Sequence, residues 1–257
     1  MSQTSSDDNL WCRRYRPAKE PTARLVCLPH AGGSAPFFRP VAMALDPAID
    51  VVSVQYPGRQ DRRAEKPISS MAELADRLHG VLSRQPALPL ALFGHSMGAV
   101  LAFELARLFE AAGTAPATLV VSGRRAPSTH RDEAVHLLDD EGILNELRRM
   151  DGTAVLILND EDMMRAALPA LRADYLATET YQCAPDASVS CPIIAMTGDA
   201  DPKTSVPETE AWSRHTSSSF DLRVYPGGHF FLADNAAEIN TLLGGLFTGK
   251  RAVAGRF

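Results

Sequence analysis

Gly94-His95-Ser96-Met97-Gly98 decides how this chain is read, because of what stands on either side of it. Leu88-Pro89-Leu90-Ala91-Leu92-Phe93 precedes it, an apolar run of strand length, and Ala99 to Leu108 follows with helical length and strong helix formers. A Gly-x-Ser-x-Gly between strand and helix is the setting of a nucleophile elbow, a sharp turn that lifts a serine hydroxyl above a sheet. The glycines are needed because a side chain at either position would crowd the neighbouring strand or helix. The helix N-terminus beneath the serine adds partial positive charge where an oxyanion would form. The bare pattern arises by chance in about one 250-residue chain in ten. The flanks therefore carry the argument.

Working outward, the same alternation recurs. Leu10 to Tyr15 reads as an edge strand, Arg24 to Leu28 and Val51 to Val54 as buried strands, and Met71 to Leu82 as a helix with Leu74, Leu78 and Leu82 on one face. Thr118 to Val121, Pro192 to Met196 and Leu222 to Tyr225 are further strands, and a closing helix spans about Ala236 to Leu246. Apolar strands alternating with helices predict an α/β fold, a mostly parallel sheet with helices on both faces. The chemically equipped loops fall just after strands, the edge where open parallel sheets bind ligands. Residues 1–9 are expected to be a disordered polar tail, and 10–257 one domain. Between Gly123 and Pro192 no convincing strand appears, and an insertion is placed at about 126–185. Ile143, Leu144, Leu147 and Met150 share one helical face, and Met164, Leu168, Leu171 and Tyr175 another. An inserted helical segment over the ligand edge predicts a lid, with Pro169 expected to start or kink a helix rather than lie in its middle.

Composition narrows the field. A chain of 257 residues, 45% apolar, 22% charged and of net charge −5, suits a single soluble enzyme domain and gives no sign of nucleic-acid binding. No run approaches a membrane span. The polar start lacks the basic and apolar pattern of a signal peptide, so a cytoplasmic location with reduced thiols at Cys12, Cys27, Cys183 and Cys191 is expected.

A serine nucleophile needs a base, and the base an orienting acid, in the chain order Ser, Asp or Glu, His. His229 follows the last strand on a Gly-Gly turn, late in the chain. His95 is too close in sequence to face Ser96, His30 reads as structural, and His79, His130, His136 and His215 lack a matching context and are expected to be exposed. Asp199 and Asp201 both occupy the loop after the preceding strand, and the Gly-x-x-Asp form of hydrolase loops favours Asp201, leaving Asp199 to fix the loop. The oxyanion hole is expected from the backbone N–H of Met97 and of Ala31, whose loop can approach closely through Gly32 and Gly33. The clusters Asp139-Asp140-Glu141 and Asp160-Glu161-Asp162 lack metal-loop spacing and read as helix caps.

Pro29-His30-Ala31-Gly32-Gly33-Ser34, Tyr56-Pro57-Gly58-Arg59, the elbow, Ser122-Gly123-Arg124-Arg125-Ala126-Pro127 and Gly227-Gly228-His229-Phe230-Phe231 occur in order over nearly the whole chain. In these motifs the chain resembles the type II thioesterases of polyketide and non-ribosomal peptide assembly lines. The resemblance implies an α/β-hydrolase fold with a helical lid and an editing role, and the serine chemistry requires no metal or organic cofactor. In that role aberrant acyl groups would be removed from the phosphopantetheine arms of acyl carrier proteins. Arg59, Arg62, Arg63, Arg124 and Arg125 lie near the ligand edge and could meet an acidic carrier surface. Asp151-Gly152-Thr153-Ala154 departs from the Gly-Gly-Thr-Pro-like turn usual in the lid of relatives. A carboxylesterase or lipase, an acyltransferase, and a hydrolase-like binding module are the competing readings.

Overall fold

A computed structural model describes residues 8–150, 161–184 and 186–247. Seven strands form one sheet: β1 Cys12–Arg13, β2 Ala23–Leu28, β3 Ile49–Val54, β4 Leu90–His95, β5 Thr118–Ser122, β6 Ile193–Gly198 and β7 Phe220–Tyr225. Their spatial order is β1-β3-β2-β4-β5-β6-β7, with β1 antiparallel to β3 and every other pairing parallel. The chain thus runs outward from β2 to β3, then crosses back to β4 on the other side of β2. That reversal makes a switch point between β2 and β4, where ligand crevices open at the strands' carboxyl ends.

Alternation along each strand feeds two cores. Val26, Leu28, Val52 and Leu92 face one side, with Leu101, Phe103 and Trp212, while Leu25, Cys27, Val51 and Phe93 face the other, with Ile239 and Leu243. Each such fully buried aliphatic or phenyl side chain stabilises the fold by about 1.5–3 kcal/mol relative to exposure. Helices α2 (Met71–Leu82) and α3 (Met97–Ala111) cover the first face, and α1 (Arg39–Ala44) and the closing helix α7 (Ala236–Gly245) the second. Ser70 caps α2 by accepting the Glu73 N–H at 3.3 Å. At the opposite edge from the switch point, Asp50 is held between Arg14 and Arg24, at 2.7 and 2.8 Å. With α6 (Val206–Glu210) between β6 and β7, this is the α/β-hydrolase architecture expected.

The interval expected to insert as a lid contains helices α4 (Asp140–Arg149) and α5 (Glu161–Glu179), and no named strand lies among its described residues. They share a third, separate cluster of Val135, Ile143, Leu144, Met164, Leu168, Leu171 and Tyr175. Asp139 caps α4 through the Gly142 N–H at 2.8 Å. Asp160 and the Asp151-Gly152-Thr153-Ala154 departure lie outside the described residues.

Three expectations need correction. Pro169 lies inside α5 rather than at its start. The missing N–H costs one helical bond, and burial of Leu168, Ala170, Leu171 and Tyr175 around it holds the helix together. Next, Asp8 and Asn9 are not tail but part of a helical turn over residues 8–11, while 1–7 lie outside the described residues. The first strand is also shorter than Leu10 to Tyr15, because just Cys12 and Arg13 pair with β3. No helix among the described residues is long and apolar enough to cross a membrane.

Candidate active site

Ser96 stands between β4 and α3 with φ 56° and ψ −117°, a conformation that side chains rarely adopt. The surroundings impose it. A Cβ on Gly98 would lie 2.0 Å from the Leu28 carbonyl oxygen, so the first turn of α3 is pressed against the end of β2 and the loop that follows. Ser96 N–H donates to Ser122 O at 2.8 Å, pinning the turn to β5 as well.

The expected acid and base, Asp201 and His229, follow the ends of β6 and β7. His229 Nδ1 lies 2.9 Å from Asp201 Oδ2 and 3.0 Å from Oδ1, with side-chain exposures of 2% and 0%. A carboxylate on Nδ1 fixes that nitrogen as the donor and leaves Nε2 as the basic lone pair. Asp199 does not reach His229. Its Oδ1 accepts the Gly227 N–H at 2.9 Å, and Ala200 N–H donates to Gly227 O at 3.0 Å, so the two loops are laced together. Ser96 and His229 line one cavity with Ala31, Met97, Arg124, Met150 and Tyr175. No Ser96–His229 hydrogen bond is present, an arrangement common before substrate binds.

Neither the Met97 nor the Ala31 N–H has a hydrogen-bond partner among the described residues, although both residues line this cavity. Around His229 the walls are aromatic. Its ring is 5.1 Å from His95 and 5.2 Å from Phe230, and His30 packs edge-on against Phe37 at 4.8 Å and Phe230 at 4.9 Å. Burial pushes His30 down to about 4 and His95 well below the ordinary histidine range, so both are neutral near pH 7. Neutral His30 then donates from Nδ1 to Ala31 O at 2.9 Å. Burial, reinforced by neighbouring Arg125, lowers Arg124 to about 10, which still leaves it charged.

Sequence reasoning misjudged several residues. Arg59, Arg62 and Arg125 are buried and paired with Asp174, Glu65 and Glu133, so they are not a surface for a carrier protein. Arg63 remains exposed, and Arg124 lines the cavity. His215 is buried, held by Ala187 O at 2.7 Å and Ser128 Oγ at 2.9 Å, rather than exposed. Tyr175, Glu133, Glu179 and Lys203 also line the cavity without any motif to announce them.

The thioesterase-domain family model matches residues 23–244. Among curated relatives, the thioesterase PikA5 of Streptomyces venezuelae is 51% identical over 237 residues, covering 91% of this chain and 84% of that protein. A probable cadicidin biosynthesis thioesterase of Streptomyces griseus is 50% identical over 93% of this chain, and this chain spans 66% of its length. Among solved structures, the type II thioesterase BorB from the borrelidin biosynthetic cluster superposes with a TM-score of 0.87 at 52% identity, over 92% of this chain and 97% of that one. The RedJ thioesterase of the prodiginine pathway in Streptomyces coelicolor gives 0.85 at 36% identity, over 91% and 95%. With this match and the α/β-hydrolase fold that carries it, the chain belongs to the thioesterase-domain family and is a hydrolase acting on thioesters.

Proposed function

We propose that this chain is a discrete type II thioesterase that clears aberrant or stalled acyl groups from the phosphopantetheine arms of acyl carrier proteins in cytoplasmic polyketide biosynthesis. The observation that carries this reading is a convergence in one cavity. A strained Ser96, an imidazole oriented by Asp201, and two residues whose backbone N–H groups have no partner among the described residues line the same space.

In this reading His229 Nε2 takes the Ser96 proton as Oγ attacks the thioester carbonyl. Met97 and Ala31 N–H groups hold the oxyanion, and one such donor contributes about 3–4 kcal/mol to lowering the barrier. Asp201 stabilises the imidazolium without itself being protonated. Collapse of the intermediate breaks the C–S bond, and His229 returns the proton to the departing thiolate, whose thiol has a reference pKa of about 8.5 and which leaves more easily than an alkoxide. Water activated by His229 then attacks the acyl-Ser96 ester and releases the carboxylic acid. The chemistry asks for no cofactor. Helices α4 and α5, within the insertion at about 126–185, act as the lid, and the tethered arm spares the enzyme from gripping a large free ligand. The biosynthetic context named for the Streptomyces griseus relative and for BorB supports the carrier-bound substrate.

The test compares hydrolysis of one acyl group on a carrier protein, on free pantetheine or coenzyme A, and as an oxygen ester, with Ser96→Ala as the blank. A strong preference for the carrier-bound thioester is expected. Preference for the oxygen ester would make the chain a general carboxylesterase on the same fold. A covalent acyl adduct persisting in Ser96→Ala would remove Ser96 as nucleophile.

A further inference from the structure

Helix α5 reaches into the loop that carries Ala31. Asp174 Oδ2 accepts the Gly32 N–H at 2.7 Å, and the same carboxylate takes both ends of the Arg59 guanidinium, Nη1 on Oδ2 at 2.7 Å and Nη2 on Oδ1 at 2.9 Å. Arg59 Nη1 also donates to Gly33 O at 3.2 Å. The side chains are 1% and 8% exposed, so the fork is shielded from water. One turn earlier, Leu171 Cδ2 stands 2.4 Å from where a Gly32 Cβ would be, and Gly32 has φ +71°. The loop fits against the helix because Gly32 has neither a side chain to collide nor a penalty for that φ.

These contacts fix two consecutive peptide groups. The Ala31–Gly32 peptide is held on both sides, its carbonyl by His30 Nδ1 at 2.9 Å and its N–H by Asp174. The His30–Ala31 peptide is held through its carbonyl, which accepts the Gly33 N–H at 2.9 Å. The Ala31 N–H has no partner among the described residues, and Ala31 lines the cavity.

We infer that Asp174 and Arg59 are positioning residues that aim the Ala31 N–H, making helix α5 and the oxyanion hole one mechanical unit. This rests on the proposed role of Ala31. Two-point guanidinium–carboxylate pairs impose direction as well as attraction, and a shift of about 1 Å in a positioned group costs about 100-fold in rate. A pair that merely stapled the helix to the body would affect stability without touching transition-state affinity.

Asp174→Asn separates these roles, because one amide oxygen cannot serve both Gly32 N–H and two guanidinium nitrogens. With an acyl-pantetheine substrate, kcat should fall about 10- to 100-fold with KM within about twofold. The inhibition constant of a trifluoromethyl ketone analogue of the same acyl group should rise by the same factor, at an unchanged circular dichroism spectrum. Unchanged kcat, or reduced kcat with analogue affinity intact, would overturn the inference. Should that variant not fold, Arg59→Lys, which keeps the charge but not the fork, decides by the same criteria. A fluorophosphonate keeps this apart from the thioesterase reading. Ser96 Oγ displaces fluoride from phosphorus, its proton passes to His229, and the phosphoryl oxygen occupies the hole. If the native protein takes the phosphonate yet leaves thioesters intact, the thioesterase reading fails. Slower labelling of the variant then still supports the strut, and equal labelling overturns it.

Discussion

His229 and Asp201 meet at 2.9 Å with side chains almost wholly buried. A carboxylate so placed selects the tautomer of the ring. Asp201→Asn is expected to lower kcat by about 10⁴-fold, as loss of the orienting acid does in serine hydrolases generally. Asp199→Asn, which touches Gly227 instead, should leave kcat within about threefold, a surface-loop change by comparison. Steady-state kinetics on a soluble thioester measures both, and equal losses would refute the division of labour.

Gly98 is where α3 meets the end of β2. The atoms that a methyl group would strike are the Leu28 and Pro29 carbonyls, which are backbone and cannot swing aside. Gly98→Ala should destabilise the protein at or beyond the upper end of the usual overpacking cost of about 1–3 kcal/mol. Urea unfolding reads this directly, and a midpoint equal to the parent's would show that the elbow is not pressed against β2.

Glu133 lines the cavity, bonded to Arg125 at 2.5 Å and Lys203 at 3.0 Å. Burial alone would raise its pKa, but Arg125 and Lys203 outweigh it and hold the carboxyl at about 2, against an ordinary 4.5. A depressed carboxyl pKa stabilises the fold above the unfolded value, and that contribution is lost as pH falls from about 4.5 through about 2. Glu133→Gln should therefore have a lower Tm than the parent at neutral pH and converge with it as pH drops through that window. A constant difference in Tm from pH 7 to pH 2 would contradict the linkage.

Cys12, Cys27 and Cys191 are buried, Cys183 is half-buried, and none is in a disulfide. Burial raises the pKa of every one, Cys191 to about 11. Iodoacetamide at pH 8 is expected to modify Cys183 first in the folded protein and all four after guanidinium unfolding. Mass spectrometry counts the adducts. A Cys183–Cys191 disulfide would show as two missing adducts.

Much of this architecture was legible in the sequence because local chemistry dictated it. The elbow needs glycines at two positions, strand ends are followed by Gly-rich loops, and Asp201 and His229 each follow a strand in hydrolase order. Asp174 was invisible for a physical reason: its partner Arg59 is 115 residues away, and no local rule links them. A faint signal exists, since Asp174 falls within the apolar face of Leu171 and Tyr175, where a carboxylate must find partners. Arg62 and Arg125 misled because charge suggests solvent, whereas their pairing to Glu65 and Glu133 makes burial tolerable. Pro169 misled because propensity describes an isolated helix, and tertiary packing overrules it.

The chemistry-bearing residues leave the ends of β2, β4, β6 and β7, so the site draws on chain positions from Ala31 to His229. Strand β7 pairs with β6 alone at the sheet edge, and His229 comes just after it. With His229 as the proposed base, a chain emerging from the ribosome stays inert until β7 has docked beside β6, so the first turnover reports that pairing.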